Sequence, residues 1–385
     1  MIKYLGSKRR LVARIVALVS AIPRGPDRLR VLDLFTGTTR VAQGLKAAGF
    51  DVTANDLATY SEVLATAYIA VDGDRVGTAE LQPVLDHLNA LPDRRGFFTR
   101  TFCEDARYFQ PKNGMRIDAI RAEIDAVARD GAERAVLLTA LLEAADRVDS
   151  TTGLQMAYLK QWAPRSHRDL RLRAPALLPG GGRAVRADAL SFVERDETFD
   201  VAYLDPPYNQ HSYFSNYHVW ETLVRDDTPD VYGVAMKRAD CRTEKSAFNR
   251  RGQAWDAMRA CVLGVRARHV LLSFSNEGFF TREAIRALLL ERFAEVAVVP
   301  VPSRRYVGAQ IGIHNRRGER VGQVSHLDNT ELLFLAGPDS HGIAARASAE
   351  LLSSPLHGAE GAPALASPLH SAAAEPARTR RVLES

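Results

Sequence analysis

Asp205-Pro206-Pro207-Tyr208 closes an apolar run, Phe199-Asp200-Val201-Ala202-Tyr203-Leu204, that reads as a buried strand. Open α/β sheets hold their ligands at the carboxyl edge of such strands. A carboxylate, two prolines and an aromatic ring at that edge suit methyl transfer to an exocyclic amino nitrogen of a nucleobase. The lone pair of that nitrogen is delocalised into the ring and must be freed before it attacks. The Asp205 carboxylate and the Pro206 carbonyl can each accept one N–H, which draws the nitrogen toward tetrahedral geometry. Pro207 suits the turn because its φ is fixed and it has no backbone donor. Tyr208 is expected to stack on the base.

Such a site needs a methyl donor, and the element to hold one lies far upstream. Val31-Leu32-Asp33-Leu34-Phe35-Thr36-Gly37-Thr38-Thr39-Arg40 opens as a strand, turns at Gly37 and continues from Val41 with helical spacing. A strand, glycine turn and helix bring backbone N–H groups close to a nucleotide-like ligand. Neither the phosphate-binding G-x-G-x-x-G spacing nor a Walker lysine is present, so a ligand without phosphates fits better. S-adenosylmethionine is such a ligand. A second strand, Phe50-Asp51-Val52-Thr53-Ala54-Asn55-Asp56, ends in an acid roughly twenty residues after the turn, the spacing of a residue that holds ribose hydroxyls.

The amino terminus reads Lys3-Tyr4-Leu5-Gly6-Ser7-Lys8. Together with the other motifs it makes the chain resemble the D12 class of DNA adenine-N6 methyltransferases, the family that includes the Dam methylases. That family runs K-[WY]-x-G-[GS]-K, D-x-F-x-G, N-D and D-P-P-Y, and all four stand here in that order across roughly residues 1–336. The resemblance implies that Tyr4 and Lys8 contact the methionine end of the cofactor, Lys8 pairing with its carboxylate. It implies that Asp33, Phe35 and Gly37 line the cofactor pocket and that Asp56 takes the ribose. It also places Asp188, in Val185-Arg186-Ala187-Asp188-Ala189-Leu190, near the cofactor adenine. One position departs: the family often carries a second glycine where Thr39 stands, which is expected to reshape the turn without abolishing binding.

The expected architecture is α/β, a Rossmann-like S-adenosylmethionine-dependent methyltransferase sheet with a largely helical inserted target-recognition region. Residues 1–70 and 183–336 would form the catalytic part and 71–182 the insertion, with Pro179-Gly180-Gly181-Gly182 as the boundary. Within the insertion, Phe97-Phe98-Thr99-Arg100 and Tyr108-Phe109-Gln110-Pro111-Lys112 mix aromatic and basic residues as a nucleic-acid surface would. Lys160 to Arg168, with Arg171 and Arg173, is a more basic run. The segments around Ile311, Val321-Gly322-Gln323-Val324 and Glu331 to Leu335 read as closing antiparallel strands, with Ser303-Arg304-Arg305-Tyr306 placed to reach phosphates. After Gly337, residues 337–385 turn rich in Ala, Ser, Pro and Glu and are expected to be disordered.

Composition narrows the classes. A chain of 385 residues, 46% of them hydrophobic, buries a substantial core. The formal charge of +5 leans mildly toward polyanions. Cys103, Cys241 and Cys261 are far apart, so neither a disulfide framework nor a zinc site is expected, and none follows a proline as a cytosine-C5 methyltransferase nucleophile does. No His spacing suggests a metal. Leu11, Ile15, Leu18, Val19 and Ile22 share one helical face interrupted by Arg14, a core-facing helix rather than a signal peptide, and no stretch reaches membrane-span length. The resulting expectation is a cytoplasmic, nucleoid-associated bacterial enzyme acting on double-stranded DNA, with a cognate restriction endonuclease as a possible partner. An RNA adenine methyltransferase, a cytosine-N4 enzyme and a catalytically silent DNA-binding relative stay open.

Overall fold

The structure, a computed structural model, describes residues 2–4, 8–276, 278–304, 313–314, 320–322 and 328–353. Its strands are β1 (Arg30–Asp33), β2 (Asp51–Asp56), β3 (Arg183–Arg186), β4 (Phe199–Leu204), β5 (Val231–Tyr232), β6 (Lys237–Arg238), β7 (Ala267–Ser275), β8 (Val296–Arg304), β9 (Ile313–His314), β10 (Arg320–Gly322) and β11 (Asp328–Ala336). Seven of them form one sheet in the order β3-β2-β1-β4-β7-β11-β8. The pairs β3–β2, β2–β1, β1–β4 and β4–β7 are parallel, whereas β11 runs antiparallel to both β7 and β8. This is the methyltransferase sheet implied by the sequence resemblance. Strand order reverses between β1 and β4, and the crevice at that switch point is where such sheets bind ligands.

Alternation along the strands builds the two faces. Val31, Val52, Ala54, Val201, Tyr203, Leu271, Leu333 and Leu335 enter one apolar cluster. Leu32, Leu34, Ala202, Leu204, Val270, Leu272 and Phe334 enter the other. A strand's side chains point alternately to opposite faces, so a sheet covered on both sides reads as continuous apolar runs. The amino-terminal helix α1 (Val12–Ser20) packs its Ile15, Leu18 and Val19 into the first cluster, flanked by buried Leu11 and Ile22.

Between β2 and β3 the chain is mostly helical. Whereas α2 (Arg40–Ala47) joins β1 to β2, here α3 (Thr59–Ala65) and a π-helical turn Thr66–Ala70 lead to helices Thr78–Ala90, Pro111–Val127 and Gly131–Val148. Lys46 ties this region to the sheet, its ammonium donating to the carbonyls of Tyr68, Ile69 and Val71 at 3.1, 2.9 and 2.7 Å. A cation is well placed there because a helix's last carbonyls lack internal partners. The helical segment has no apolar core of its own: Leu137, Leu141, Ile120 and Leu85 belong to the same cluster as the sheet residues.

Three expectations change. Phe98, Phe102, Tyr108 and Phe109 are buried against one another and against Trp220, so this aromatic group is core and not a nucleic-acid surface. Ser340–Ser353 forms a helix within the stretch expected to be disordered; it packs on α1 and β8 and buries Ile343 and Ala347. Glu331 to Leu335 lies in antiparallel β11 as read, but Val321-Gly322 pairs with β9 in a separate two-stranded hairpin outside the main sheet. Arg305, Tyr306, Ile311, Gln323, Val324 and residues 354–385 lie outside the described residues, as do Leu5, Gly6 and Ser7 of the amino-terminal motif.

Candidate active site

At the carboxyl end of β1, Asp33 is fully buried and accepts a hydrogen bond from the Thr36 hydroxyl at 2.9 Å through Oδ2. Its Oδ1 has no hydrogen-bond partner among the described residues. Burial raises the Asp33 carboxyl to about 7, opposed by the Thr36 hydroxyl and, more weakly, by the Ala42 backbone, with the nearby Asp205 and Asp56 carboxylates adding to the rise. The turn that follows has Gly37 at φ +51°, where a Cβ would meet the Tyr4 ring at 3.2 Å. Glycine is required there on both counts. Thr39 also takes a left-handed conformation, with φ 62°, rare for a β-branched residue. It is held by its own side chain, which donates to the Thr38 carbonyl and accepts from the Gln43 amide, both at 2.7 Å.

The end of β2 braces this turn. Asp56 accepts the Gly37 N–H at 2.8 Å through Oδ2 and the Ala58 N–H at 3.0 Å through Oδ1. Glu221, buried, accepts the N–H groups of Thr59 and Tyr60 at 3.0 and 3.2 Å. Tyr4 lies over the same turn, stacked on Tyr217 at 4.4 Å and on Tyr213 at 5.4 Å, with its hydroxyl 3.2 Å from that of Tyr60. Beyond β3, Asp188 caps helix Ala189–Val193 by accepting the Leu190 N–H at 2.9 Å. Phe35 packs edge-on against Phe248.

Across the switch point, Asp205 follows β4 with its side chain 17% exposed. Its Oδ1 accepts from the Ser273 hydroxyl of β7 at 2.7 Å and pairs with the Lys8 ammonium at 3.1 Å. The Tyr203 hydroxyl lies 3.0 Å from Ser273 Oγ on its other side. Lys8 reaches a second carboxylate, Glu331 of β11, at 3.2 Å. Burial alone would lower the Lys8 ammonium's pKa, yet the two carboxylates raise it above the ordinary lysine range, so it stands as an ammonium. Burial pushes the Asp205 carboxyl upward while Lys8 and Ser273 pull it back. Tyr208 lies 5.7 Å from the ammonium, edge-on to Phe274, and its carbonyl accepts the Phe279 N–H at 3.1 Å.

One cavity of about 390 Å³ joins these two halves. Tyr4, Lys8, Asp33, Phe35, Gly37, Asp56 and Asp188 line it, and so do Asp205 and Pro207, whereas buried Pro206 and half-buried Tyr208 adjoin them in the chain without lining it. The residues singled out from sequence thus meet at the switch point, although Asp33 and Asp205 are 172 positions apart in the chain. Lys8 is the exception in its partner: its ammonium is engaged by Asp205 and Glu331 rather than open for a ligand carboxylate.

A family model described as D12 class N6 adenine-specific DNA methyltransferase matches residues 4–286. The chain belongs to that class. The modification methylase StsI of Streptococcus sanguinis is 30% identical over 321 residues, covering 79% of this chain and 48% of the relative. The type II methyltransferase M.NlaIII of Neisseria lactamica is 28% identical over 336 residues, covering 84% and 98%. M.FokI of Planomicrobium okeanokoites is 29% identical over 305 residues, covering 74% and 46%. The chain therefore spans about half the length of the StsI and FokI methylases and nearly all of M.NlaIII.

S-adenosylmethionine is the methyl donor this D12 fold implies, and the cavity suits it. The unpartnered Asp33 Oδ1 fits an ammonium, whose approach favours the ionised carboxylate, and Arg40, whose Nε also lacks a partner among the described residues, fits a carboxylate. Aromatic rings and aliphatic walls from Phe35, Leu57 and Phe214 fit a nucleoside.

Sequence reasoning missed Ser273, Glu221 and Glu331. Glu331 did carry a signal, a lone acid opening the otherwise apolar run Leu332-Leu333-Phe334-Leu335. Ser273 within Val270-Leu271-Leu272-Ser273-Phe274 carried a weaker one. His218, ten residues after Tyr208, is buried and set on the Gln155 carbonyl at 2.8 Å; burial lowers it to about 3, so it is a neutral packing group and not a base.

Proposed function

We propose that this chain transfers the methyl group of S-adenosylmethionine to N6 of an adenine extruded from a specific site in double-stranded DNA. The observation that carries this reading is one cavity with an unpartnered buried carboxylate oxygen at Asp33 and a pre-positioned acceptor carboxylate at Asp205. When bound, S-adenosylmethionine supplies a sulfonium-activated methyl group. Asp33, Arg40, Tyr4, Phe35, Gly37, Asp56 and Asp188 would hold it on the β1–β2–β3 side.

On the other side, Asp205 accepts one N6–H and the Pro206 carbonyl accepts the second, which localises the nitrogen lone pair. Ser273 fixes the carboxylate's orientation before the base arrives, so little reorganisation is needed in the transition state. Tyr208 stacks on the adenine, its ring steadied by Phe274. A base stacked in a duplex cannot reach a carboxylate set inside a cavity, so the adenine must leave the helix. Residues 71–182 form the target-recognition region in this reading. There Arg168, Arg171 and Arg173 are exposed, while Arg165 is tied to Asp149 at 2.7 Å. In this reading the methylation protects a site from a cognate restriction endonuclease in the bacterial cytoplasm, a role supported by likeness to proteins named modification methylases.

Modification-aware sequencing of DNA from a methylation-free host tests the proposal. Expression of this chain should leave N6-methyladenine in one recurring sequence, and Asp205→Ala should leave none. Unmodified DNA from a folded, abundant wild-type chain would contradict it.

A further inference from the structure

Methylating N6 turns a neutral amine into a cation until its proton leaves. The structure nonetheless sets a buried ammonium, Lys8, 3.1 Å from the carboxylate that receives that amine. Alone, the pair would cancel to zero charge where positive charge develops, and in a dry site such a loss is large. Glu331 changes the sum. Its Oε2 lies 3.2 Å from the same ammonium, across 323 positions of sequence, on a buried residue of β11. β11 is held in register against β7, with Leu333 opposite Ser273 and Glu331 opposite Ser275.

We infer that Glu331 is a positioning residue for methyl transfer: it shares the Lys8 ammonium, so that Lys8, Asp205 and Glu331 together present one net negative charge to the nitrogen being methylated. Lys8 orients two carboxylates at once, and Glu331 keeps it from neutralising Asp205. The other groups turned toward the triad are the hydroxyls of Tyr203, Tyr208 and Tyr213, the Ser273 hydroxyl and the Asp33 carboxyl on β1. Burial raises the phenols, so none of them supplies a compensating charge near neutral pH. Glu331 lies beyond the segment that matches the family model.

The inference rests on the transfer reading above, and a charge-balance cycle separates the two. Single-turnover methylation of a duplex carrying the site found by sequencing would be measured for the wild type, Glu331→Gln, Lys8→Met and Lys8→Met/Glu331→Gln, with thermal unfolding of each. Glu331→Gln should lower the rate constant on the order of a hundredfold, the lower end of what one preorganised electrostatic contact contributes, with cofactor affinity unchanged. Its acid limb should move to lower pH, because Lys8 then acts on Asp205 alone. The double variant restores one net negative charge and should recover most of the rate. A Glu331→Gln rate equal to the wild type, or a folded double variant no faster than Glu331→Gln, overturns the role of Glu331 while leaving the transfer reading intact. A wild-type chain without methylation overturns both.

Discussion

The two sides of the cavity differ in how their polar groups are satisfied. On the β1–β2–β3 side, Asp33 Oδ1, Asn55 Oδ1 and Arg40 Nε are buried without partners among the described residues. On the β4–β7–β11 side, Asp205 is held by Ser273 and Lys8, and Glu331 by Lys8. A buried polar atom without a partner costs roughly 1–3 kcal/mol, so the first side is stable only because the rest of the sheet over-determines it. The lesson is a division of labour. In the proposed reaction the cofactor would complete one side, and the other is assembled beforehand so that the base would meet fixed acceptors.

Substitutions can break that contrast, beginning with the largest effect. Asp205→Ala should reduce methyl transfer by about a thousandfold or more, as loss of a preorganised transition-state contact does, while calorimetry shows cofactor affinity close to wild type. Asp33→Asn should do the reverse. It should weaken cofactor binding by roughly tenfold or more, about 1.4 kcal/mol, yet raise the thermal stability of the ligand-free protein at pH 8. The sign follows from linkage. Asp33 titrates near 7 when folded and near 4 when unfolded, so the folded state binds more protons between those values and loses stability as pH rises through them. Cofactor affinity, which needs the carboxylate charged, should then fall as pH drops below about 7 in the wild type. In Asp33→Asn that fall should flatten.

The pH–rate profile sharpens the comparison from the other side. Asp205 is raised by burial, and in the proposed reaction its ionised form is the stronger acceptor for N6–H. The acid limb of single-turnover transfer should therefore lie above the ordinary carboxylate range near 4. The smallest effect is expected at Thr39. Its left-handed backbone costs on the order of 1–3 kcal/mol, offset by bonds to Thr38 and Gln43. Thr39→Gly removes both, so thermal unfolding should shift by no more than about 1 kcal/mol, with cofactor affinity preserved.

How much of this was legible in the chain depends on range. The strands leading to Asp33, Asp56 and Asp205 could be read because each brings apolar residues, alternating with polar ones along residues 50–56, up to an acid. The match of β4 to Phe199–Leu204 follows directly from that pattern. The Lys8–Glu331 pair was hidden because no local periodicity records a contact between the two ends of the sequence. The aromatic run near Phe98 misled because π-helical Arg100–Glu104 turns Phe102 inward beside Phe98 and Tyr108. Helix Ser340–Ser353 escaped notice because its buried face rests on Ile343 and Ala347, and alanine gives little hydropathy contrast.

The most direct test of the division between the two sides is a paired measurement on Asp33→Asn and Asp205→Asn: cofactor affinity by calorimetry and single-turnover methyl transfer on the same preparations. The account predicts a crossover, with Asp205→Asn binding the cofactor like wild type but transferring no methyl, and Asp33→Asn binding it weakly but regaining transfer at saturating cofactor. A folded Asp205→Asn that loses affinity as far as Asp33→Asn does, or an Asp33→Asn that binds like wild type, would contradict it.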